Sequence, residues 1–392
     1  MGTALMMEQE LRLQVPQRSL RAALALVAFA AKLDDKALTS MVLLSTTPDG
    51  TVTVAAAGNG LRIAVRVEDA VAEGIGAVAV PGRLLPALVE LLPDEPIALV
   101  LDGGHLLVAN SANRSRLVTT PLSNMPEPPK TGDPIWQIAL PVAALRELLS
   151  RVAYAMGTDA TRPMMAGVFL ELAGGQLTAT ASNGHRLATA SIAVPTVTPV
   201  GHDALLKDST VAVLCKLLDE TTGETLTITR HVEQFITVST ASVTITMNLL
   251  EGPFPSYGHL LPSEASHPDT VLVERRTLAS AVERVALLSP MESFKVELVP
   301  TGTRDGLRVN AMNAERGVGG ESVGAQLSAN VDRQAFNARY FLDALAMLRG
   351  NMIAWRFKSH NLAVVFDETV DGVHARHLLM PTRRDEVPVN DN

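Results

Sequence analysis

A strand-like segment followed at once by an amphipathic helical segment occurs three times along this chain. The strand-like segments are LRLQVP, WQIALP and TVLVER, and the helical segments are residues 18–32, 141–156 and 276–288. In the first helical segment Leu20, Leu24 and Val27 fall on one face, as the period of a helix requires. The helix starts lie about 125 to 135 residues apart, and such a fixed period is typical of a repeated structural unit. We therefore predict three copies of one unit.

A second series of helical segments supports the three units. It comprises residues 81–92, 209–220 and 338–348. Between the helices, short runs of apolar and β-branched residues are broken by Gly, Asn and Asp, a pattern typical of antiparallel strands joined by turns. The predicted fold class is α+β, with two helices and antiparallel sheets in each of three domains. The expected domains are residues 1–130, 131–265 and 266–392, with linkers at 124–134 and 260–269 and disordered extensions at 1–10 and 385–392.

The composition limits the class of protein. A chain of 392 residues is too long for one ordinary core, and 47% hydrophobic residues are enough for several. A net charge of -8 argues against nucleic-acid binding through the whole surface but permits a local basic face. Aromatic residues, at 4%, are too few for the base-stacking platforms of single-strand binders.

The apolar runs bear on the location of the protein in the cell, and the cysteine count bears on disulfides and zinc sites. No run reaches the roughly 18 apolar residues of a membrane helix, so we expect a cytoplasmic protein with no membrane contact. Cys215 is the single cysteine, which excludes an internal disulfide and a Cys-based zinc site within one chain. Its apolar neighbours favour a buried structural thiol.

Two segments match motifs that carry chemistry in other proteins. Residues 320–324 match the G-x-S-x-G pattern of a nucleophilic serine, but the segment that follows Ser322 does not predict the required helix. A turn with an exposed Ser322 is the simpler interpretation. His374 and His377 lie three apart in a predicted strand, where they would face opposite sides, which disfavours a shared metal ion. We expect no metal and no cofactor.

The segment TATASNGHRLATAS, residues 178–191, has polar residues in the middle of a strand-like run. A structural interpretation places a strand bend there, with Gly184 supplying conformational freedom and Arg186 reaching outward. His185 is a candidate for catalysis, metal binding or a binding surface. Acid–base catalysis needs a nearby partner that the sequence does not locate, so structure or binding is the favoured interpretation.

Four segments, in order along the chain, resemble motifs of the β sliding clamp family, the processivity subunits of bacterial DNA polymerase III. ASNGHRLATAS, from residue 181, is similar to the family's T-D-G-H-R-L-A segment, with Ser182 and Asn183 in place of Thr and Asp. The other three are MNLLEGPFPSYGHLLP from residue 247, FNARYFLDAL from 336 and HLLMPTR from 377. The first 130 residues share only the helix placement and the tripled layout.

The resemblance implies a homodimeric ring that encircles double-stranded DNA without sequence specificity. Such a ring has no catalytic activity and tethers the DNA polymerase III catalytic subunit, the clamp loader and other proteins with a clamp-binding motif, in the cytoplasm at the nucleoid. Its helices line the hole, so that basic residues face DNA while the acidic excess faces outward. The candidates on or beside helices, of which about half are expected to face DNA, are Arg18, Arg21, Lys32, Arg146, Arg151, Arg276, Arg284 and Arg339.

The resemblance also implies an apolar pocket between the second and third domains, which receives a client peptide with Leu and Phe anchors. Aliphatic and Met side chains accept such anchors adaptably, and polar groups at the rim orient the peptide. Carried over by motif, the pocket residues are Met165, Ser182, Gly184, His185, Arg186, Leu187, Pro255, His259, Leu260, Asn337, Tyr340, Leu378, Met380, Pro381, Thr382 and Arg383.

For the ring interface, the family pairs the first domain of one chain with the third domain of the other. The matching residues are Leu117 and Thr119 against Leu287 and Leu288. Two other functions are compatible with the residues. One is a clamp-like peptide-binding paralogue with altered clients or without DNA, and the other is a hydrolase that uses Ser322 with a histidine.

Overall fold

The computed structural model describes residues 11–31, 41–125, 133–159, 161–195, 203–221, 225–263, 266–328 and 330–382. The expected extensions at 1–10 and 385–392 lie outside the described residues, as do Lys32 and Arg383.

Strands and helices follow the same order in three repeats. The first repeat contains β1 (Arg12–Pro16), α1 (Gln17–Ala31), β2 (Met41–Thr46), β3 (Val52–Gly58), β4 (Leu61–Arg66), β5 (Val71–Glu73), β6 (Ala77–Pro81), α2 (Leu84–Leu91), β7 (Pro96–Asp102), β8 (His105–Ala109) and β9 (Arg114–Val118). The second contains β10 (Pro134–Pro141), α3 (Val142–Val152), β11 (Gly167–Ala173), β12 (Gln176–Ser182), β13 (Arg186–Ala193), β14 (Ala204–Lys207), α4 (Asp208–Glu220), β15 (Thr225–His231), β16 (Phe235–Ser239) and β17 (Val243–Asn248).

The third repeat contains β18 (Asp269–Glu274), α5 (Arg275–Ala286), β19 (Lys295–Pro300), β20 (Gly306–Asn313), β21 (Gly317–Leu327), β22 (Gln334–Asn337), α6 (Ala338–Met347), β23 (Met352–Phe357), β24 (Val364–Val370) and β25 (Val373–Leu379). Apart from the short β5, each repeat has one strand, a helix, four strands, a helix and three strands. The predicted α+β fold class with three sheet-rich repeats is therefore confirmed.

The chain divides into two compact units, each built on antiparallel sheets. One unit comprises Met1–Val142, Val197–Pro199 and Ala212–Leu249. It contains a five-stranded sheet, β5-β1-β7-β8-β9, and an eight-stranded sheet, β10-β15-β16-β17-β4-β3-β2-β6. The other unit comprises Ala143–Thr196, Val200–Val211 and Leu250–Asn392 and contains a 12-stranded sheet, β14-β11-β12-β13-β25-β24-β23-β18-β21-β20-β19-β22.

Neighbouring repeats are joined by strand pairing within these sheets. The last strand of one repeat pairs with the third strand after the first helix of the preceding repeat. In the eight-stranded sheet β17 pairs with β4, and in the 12-stranded sheet β25 pairs with β13. Each junction is thus a continuous antiparallel ladder whose backbone groups are hydrogen-bonded across the repeat boundary.

The predicted helices form because their apolar residues recur on one face. Leu20, Leu24 and Val27 of α1 are all buried. α2 begins later than predicted, at Leu84, since strand β6 extends to Pro81. In the third repeat the core is aromatic: Phe341 packs edge-on against Trp355 at 5.9 Å between ring centroids. These packed faces hold the helices against the sheets.

The positions of Ser322, the two histidines and Cys215 in the fold test the chemistry that we expected of them. Ser322 is exposed, but residues 320–324 lie within strand β21 rather than in the expected turn, and no helix follows at once. His374 is exposed and His377 is buried, so the prediction of opposite faces is confirmed. Cys215 is only partly buried, and burial with the nearby Asp219 raises the pKa of its thiol to about 11.

Among the described residues, no helix is long and apolar enough to cross a membrane. The same part of the chain holds no group of three or more His, Cys, Asp or Glu side chains that could bind a metal ion.

Candidate functional site

Residues 178–191 form a β-hairpin rather than the bent strand that we expected. β12 ends at Ser182 and β13 begins at Arg186, and Ser182 lies opposite Leu187. Asn183 Oδ1 accepts hydrogen bonds from the backbone N–H groups of His185 and Arg186, both at 3.0 Å. Gly184 has a φ of 88°, a left-handed value that glycine adopts without steric cost. Asn-Gly between strand-like runs is a strong hairpin signal, and it was present in the sequence.

The hairpin lies beside the last strand of the chain. β13 pairs with β25 so that Leu187 faces Leu378, and the Met380 N–H donates to the His185 carbonyl at 2.9 Å. Leu187, Leu378 and Val365 of β24 form a small buried apolar cluster. Residues from the second and third repeats therefore share one apolar floor.

A cavity of about 310 Å³ opens above this floor. Ten of the predicted pocket residues line it: Met165, Ser182, Gly184, His185, Arg186, Leu187, Pro255, Leu260, Leu378 and Met380. Sequence reasoning missed four further lining residues, Phe254, Ser256, Tyr257 and Ala363. Phe254, Ser256 and Tyr257 lie inside the quoted GPFPSY segment and could have been found there, whereas Ala363 carries no motif signal.

Arg186 is the most enclosed charged group of this cavity. Its guanidinium lies between the rings of Tyr154 and Tyr340, at 4.9 and 4.6 Å from their centroids. It also donates to the Asp343 carboxylate and to the Tyr154 carbonyl. Stacking and charge-assisted hydrogen bonds together fix an arginine whose side chain is only 10% exposed. The cavity thus has a rigid polar margin.

Tyr154 connects this margin to the last strand. Its hydroxyl is hydrogen-bonded to His377 Nδ1 at 3.0 Å, and burial raises the pKa of Tyr154. Burial and the nearby Arg151 charge lower the pKa of His377 to about 4, so this imidazole is neutral at pH 7. His185, by contrast, is exposed and stacks on Tyr340 at 6.1 Å between ring centroids.

The remaining predicted pocket residues do not line the cavity. Asn337 caps α6, because its Oδ1 accepts from the backbone N–H groups of Arg339 and Tyr340 at 3.0 and 3.2 Å. The Tyr340 ring stacks on the Arg186 guanidinium. The Thr382 N–H donates to the Ala335 carbonyl at 2.8 Å. Outside the cavity lining are therefore His259, Asn337, Tyr340, Pro381 and Thr382.

The predicted DNA-facing residues differ in exposure. Arg18 and Arg276 are exposed, and Arg146 is partly buried. Arg21 pairs with Glu90 at 3.3 Å, and Arg284 pairs with Glu321 at 2.6 Å.

Arg339 and Arg151 have contrasting surroundings. The exposed Arg339 lies over the Phe294 ring, 3.4 Å from its centroid. Arg151 is 1% exposed and pairs with Glu147 and Glu368, each at 2.6 Å. The expectation that Arg151 could face DNA is therefore wrong, because its guanidinium is neutralised inside the protein.

The predicted interface residues lie at strand β9 and at the end of helix α5. Leu117, on β9, and Thr119, just after it, are partly buried. Leu287 is 72% exposed at the end of α5, and Leu288 lies against Gly319 of β21.

Comparison with known proteins identifies the family to which this arrangement belongs. Residues 139–256 match the central domain of the DNA polymerase III beta subunit, and residues 259–383 match its C-terminal domain. Among curated proteins, the beta sliding clamp of Synechocystis sp. is 27% identical in an alignment 327 residues long that covers 79% of this chain and 82% of that protein. The beta sliding clamp of Caulobacter vibrioides is 28% identical in an alignment 330 residues long that covers 79% of this chain and 85% of that protein.

A solved structure extends the likeness over nearly the whole chain. The DNA polymerase III subunit beta sliding clamp of Pseudomonas aeruginosa, solved bound to griselimycin, is similar with a TM-score of 0.88 and 26% identity. The match covers 96% of this chain and 100% of that structure. Since the two family matches span more than half of the residues, the chain belongs to the DNA polymerase III beta subunit family, the bacterial sliding clamps.

Proposed function

We propose that two copies of this chain form a ring around double-stranded DNA and hold client proteins at the cavity described above. Membership in the sliding clamp family makes the chain a non-catalytic processivity factor of DNA polymerase III. The observation that carries the proposal is the apolar cavity where β13 of the second repeat pairs with β25 of the third. The domain limits 1–130, 131–265 and 266–392 belong to the same proposal, as does a location in the cytoplasm at the nucleoid.

The cavity suits a short peptide with apolar anchors. Leu187, Leu378 and Met380 offer an aliphatic floor, and Met side chains adapt their shape to different anchors. Arg186 and His185 supply polar groups at the margin that orient the peptide backbone. The clients that we propose are the catalytic subunit of DNA polymerase III, the clamp loader and other proteins with such a peptide.

A peptide titration tests this site. A fluorescein-labelled hexapeptide ending in Leu-Phe should bind the intact protein, as measured by fluorescence polarisation. Met380→Asp should weaken binding at least about tenfold, because a carboxylate would be desolvated beneath an apolar anchor. Met352→Asp is the matched control, since Met352 is similarly exposed, 52% against 44% for Met380, and lies outside the cavity lining. Equal loss in both variants would refute the proposed site.

The repeat order supports ring closure through β9 and β21. β4, β13 and β21 hold the same place in their repeats, as do the last strands β9, β17 and β25. β4 pairs with β17 and β13 pairs with β25, which leaves β9 and β21 as the equivalent pair. In the described part of the chain, β9 ends its sheet, and residues 317–324 of β21 pair on one side only, with β20. In a pair of chains, β9 of each copy would pair with β21 of the other. These two interfaces would close a two-chain ring.

Light scattering tests this interface. The protein should have twice the chain mass of 41.6 kDa. Leu287→Asp should yield monomers, because it places a charge in an apolar contact beside β21. Leu362→Asp, at a leucine that is 43% exposed, should leave the dimer intact. A monomeric wild-type protein would contradict the ring.

The DNA-facing surface that we propose uses exposed arginines of the helices. The exposed arginines are Arg18 of α1, Arg276 of α5 and Arg339 of α6. Their contacts with phosphates would not depend on the DNA sequence. Binding should therefore be weak, salt-sensitive and independent of DNA sequence. A ring loaded on nicked circular DNA should remain bound through gel filtration in high salt and leave after the circle is cut. A protein that binds the peptide but shows no such retention would be a peptide-binding paralogue that does not enclose DNA.

A further inference from the structure

One wall of the cavity lies in an irregular segment. We call residues 252–262 the wall segment; it contains the lining residues Phe254, Pro255, Ser256, Tyr257 and Leu260. Its only regular element is a short 3-10 turn at Gly258–Leu260, and its backbone hydrogen bonds within the described chain are local, such as Leu260 N–H to the Tyr257 carbonyl at 2.8 Å. Side chains must therefore hold this wall against the sheet.

Two side chains of β11 receive the wall segment. Phe169 and Glu171 are two residues apart on the strand and so point to the same face. The Phe254 ring stacks on Phe169 at 5.0 Å between centroids and an interplanar angle of 9°, and the Tyr257 ring meets both edge-on. The Tyr257 hydroxyl donates to Glu171 Oε2 at 3.0 Å. The rings supply area, and the hydrogen bond supplies a fixed direction.

We propose that Glu171 is a positioning residue of the client site. It fixes Tyr257, and thereby holds the wall segment where it leaves the cavity open. This inference rests on the proposed client-binding function. Glu171 is not among the residues that line the cavity, so it acts on a bound peptide through Tyr257. Tyr257 also packs against the floor cluster of Leu187, Val365 and Leu378, which links the wall to the floor.

The physical reason is the cost of leaving a partly buried hydroxyl without its partner. Burial raises the pKa of Tyr257 to about 12; the Thr180 hydroxyl lowers it, and the Glu171 carboxylate raises it again. The phenol therefore stays protonated and can donate at neutral pH. Without an acceptor at residue 171, the Tyr257 hydroxyl must turn toward water or toward the Thr180 hydroxyl, and either turn would move the ring relative to the floor. The fraction of molecules with a preformed cavity then falls, and the apparent affinity falls by the same factor.

Peptide affinity gives the first test. The hexapeptide ending in Leu-Phe should bind Glu171→Leu and Tyr257→Phe about fivefold more weakly than wild type, the factor expected for one net hydrogen bond. Glu171→Gln keeps an acceptor oxygen and should restore most of the affinity. The double variant should bind no more weakly than either single variant, because both remove the same contact.

The tyrosine count gives a second test without any ligand. The chain has three tyrosines, and all of them contact this site: Tyr257 lines the cavity, and Tyr154 and Tyr340 flank Arg186. Protein labelled with 3-fluorotyrosine should show three fluorine NMR signals, assigned by single Tyr→Phe variants. Glu171→Leu should shift or broaden the Tyr257 signal and leave the other two in place, and Glu171→Gln should restore it.

The outcomes separate this inference from the function on which it rests. If the wild-type protein does not bind the peptide, the proposed client site fails, whereas the NMR comparison still reports on the Tyr257–Glu171 contact. If wild type binds and Glu171→Leu binds equally well with an unchanged Tyr257 signal, the positioning role is refuted. Movement of all three signals together would indicate a general structural role and would also overturn it.

Discussion

Replacing Arg151 by Met distinguishes a structural arginine from a DNA-binding one. Arg151 lies on α3, where the sequence predicted a residue facing DNA, yet its side chain is 1% exposed. It donates to Glu147 and Glu368 at 2.6 Å each, and Arg349 closes the network by donating to Glu147 at 3.0 Å. Arg151→Met fills a similar volume and removes only the charge and its hydrogen bonds.

The expected cost follows from the carboxylates left behind. Removing one partner of a buried ion pair typically costs about 3 to 5 kcal/mol, because the remaining charge has lost its counter-ion in a poorly solvated place. Glu147 and Glu368 are 24% and 14% exposed and keep Arg349 as a neighbour, so the lower end, about 3 kcal/mol, applies. For a chain of this size we expect the unfolding midpoint to fall by about 6 °C.

The pH dependence of this loss has a defined sign. Burial raises the pKa values of Glu147 and Glu368, but hydrogen bonds from Arg349 and Arg151 outweigh burial, so both lie below 4.5 in the folded protein. A carboxyl with a lowered pKa stabilises the fold fully above its unfolded pKa and loses that contribution as the pH falls through the folded value. The difference between wild type and Arg151→Met should therefore be complete at pH 7 and narrow below pH 4.5.

Calorimetry and DNA retention together provide the assay. Arg151→Met should melt earlier, the additional change Glu368→Gln should recover part of the loss, and retention on nicked circular DNA should persist below the melting range. Arg276→Met, at an exposed arginine, should change the midpoint little but weaken DNA binding. If Arg151→Met kept full stability and lost DNA binding, the buried network would be the wrong explanation.

Two further predictions concern single side chains. Because burial raises the pKa of Cys215 to about 11, iodoacetamide at pH 8 should label it much more slowly than a free thiol, and rapid labelling of the folded protein would contradict the burial. Because Ser322 lies exposed in the middle of β21, a fluorophosphonate probe should not label it and Ser322→Ala should leave peptide and DNA binding unchanged; labelling at Ser322 would revive the hydrolase hypothesis.

Local patterns predicted the elements well because they record which face of an element is buried. The apolar spacing of Leu20, Leu24 and Val27 located α1, and the tripled order of strand and helix predicted three repeats. Three of the four motifs, those from residues 181, 247 and 377, located nine of the cavity residues, since they lie along or against the β13–β25 ladder.

Contacts between residues far apart along the chain could not be predicted from the sequence. Arg151 reads as an ordinary basic residue on a helix, and its partner Glu368 lies 217 residues away. Asn337 belongs to a recognised motif, but its side chain caps α6, because the residue before a helix satisfies free N–H groups there. The ion pair does not follow from spacing along the chain, since it depends on which surfaces meet after folding, whereas the cap is a local contact that an Asn before a predicted helix signals.

One wall of the cavity comes from the chain between two repeats rather than from the repeated unit. The first repeat has the same hairpin sequence pattern, Asn59-Gly60-Leu61-Arg62, and the Asn248 N–H donates to the Gly60 carbonyl at 2.8 Å. Yet Leu61, which pairs with Met247, is 2% exposed, whereas Arg186, which pairs with Leu379 at the equivalent place in the second ladder, is only partly buried and lines a cavity. At the second junction the wall segment, which follows β17, packs against the β13–β25 floor through Tyr257 and forms one side of the cavity. Two equivalent ladders thus have different surroundings. The Tyr257–Glu171 contact holds the wall segment, and a change in this contact would most directly alter client binding while sparing the fold.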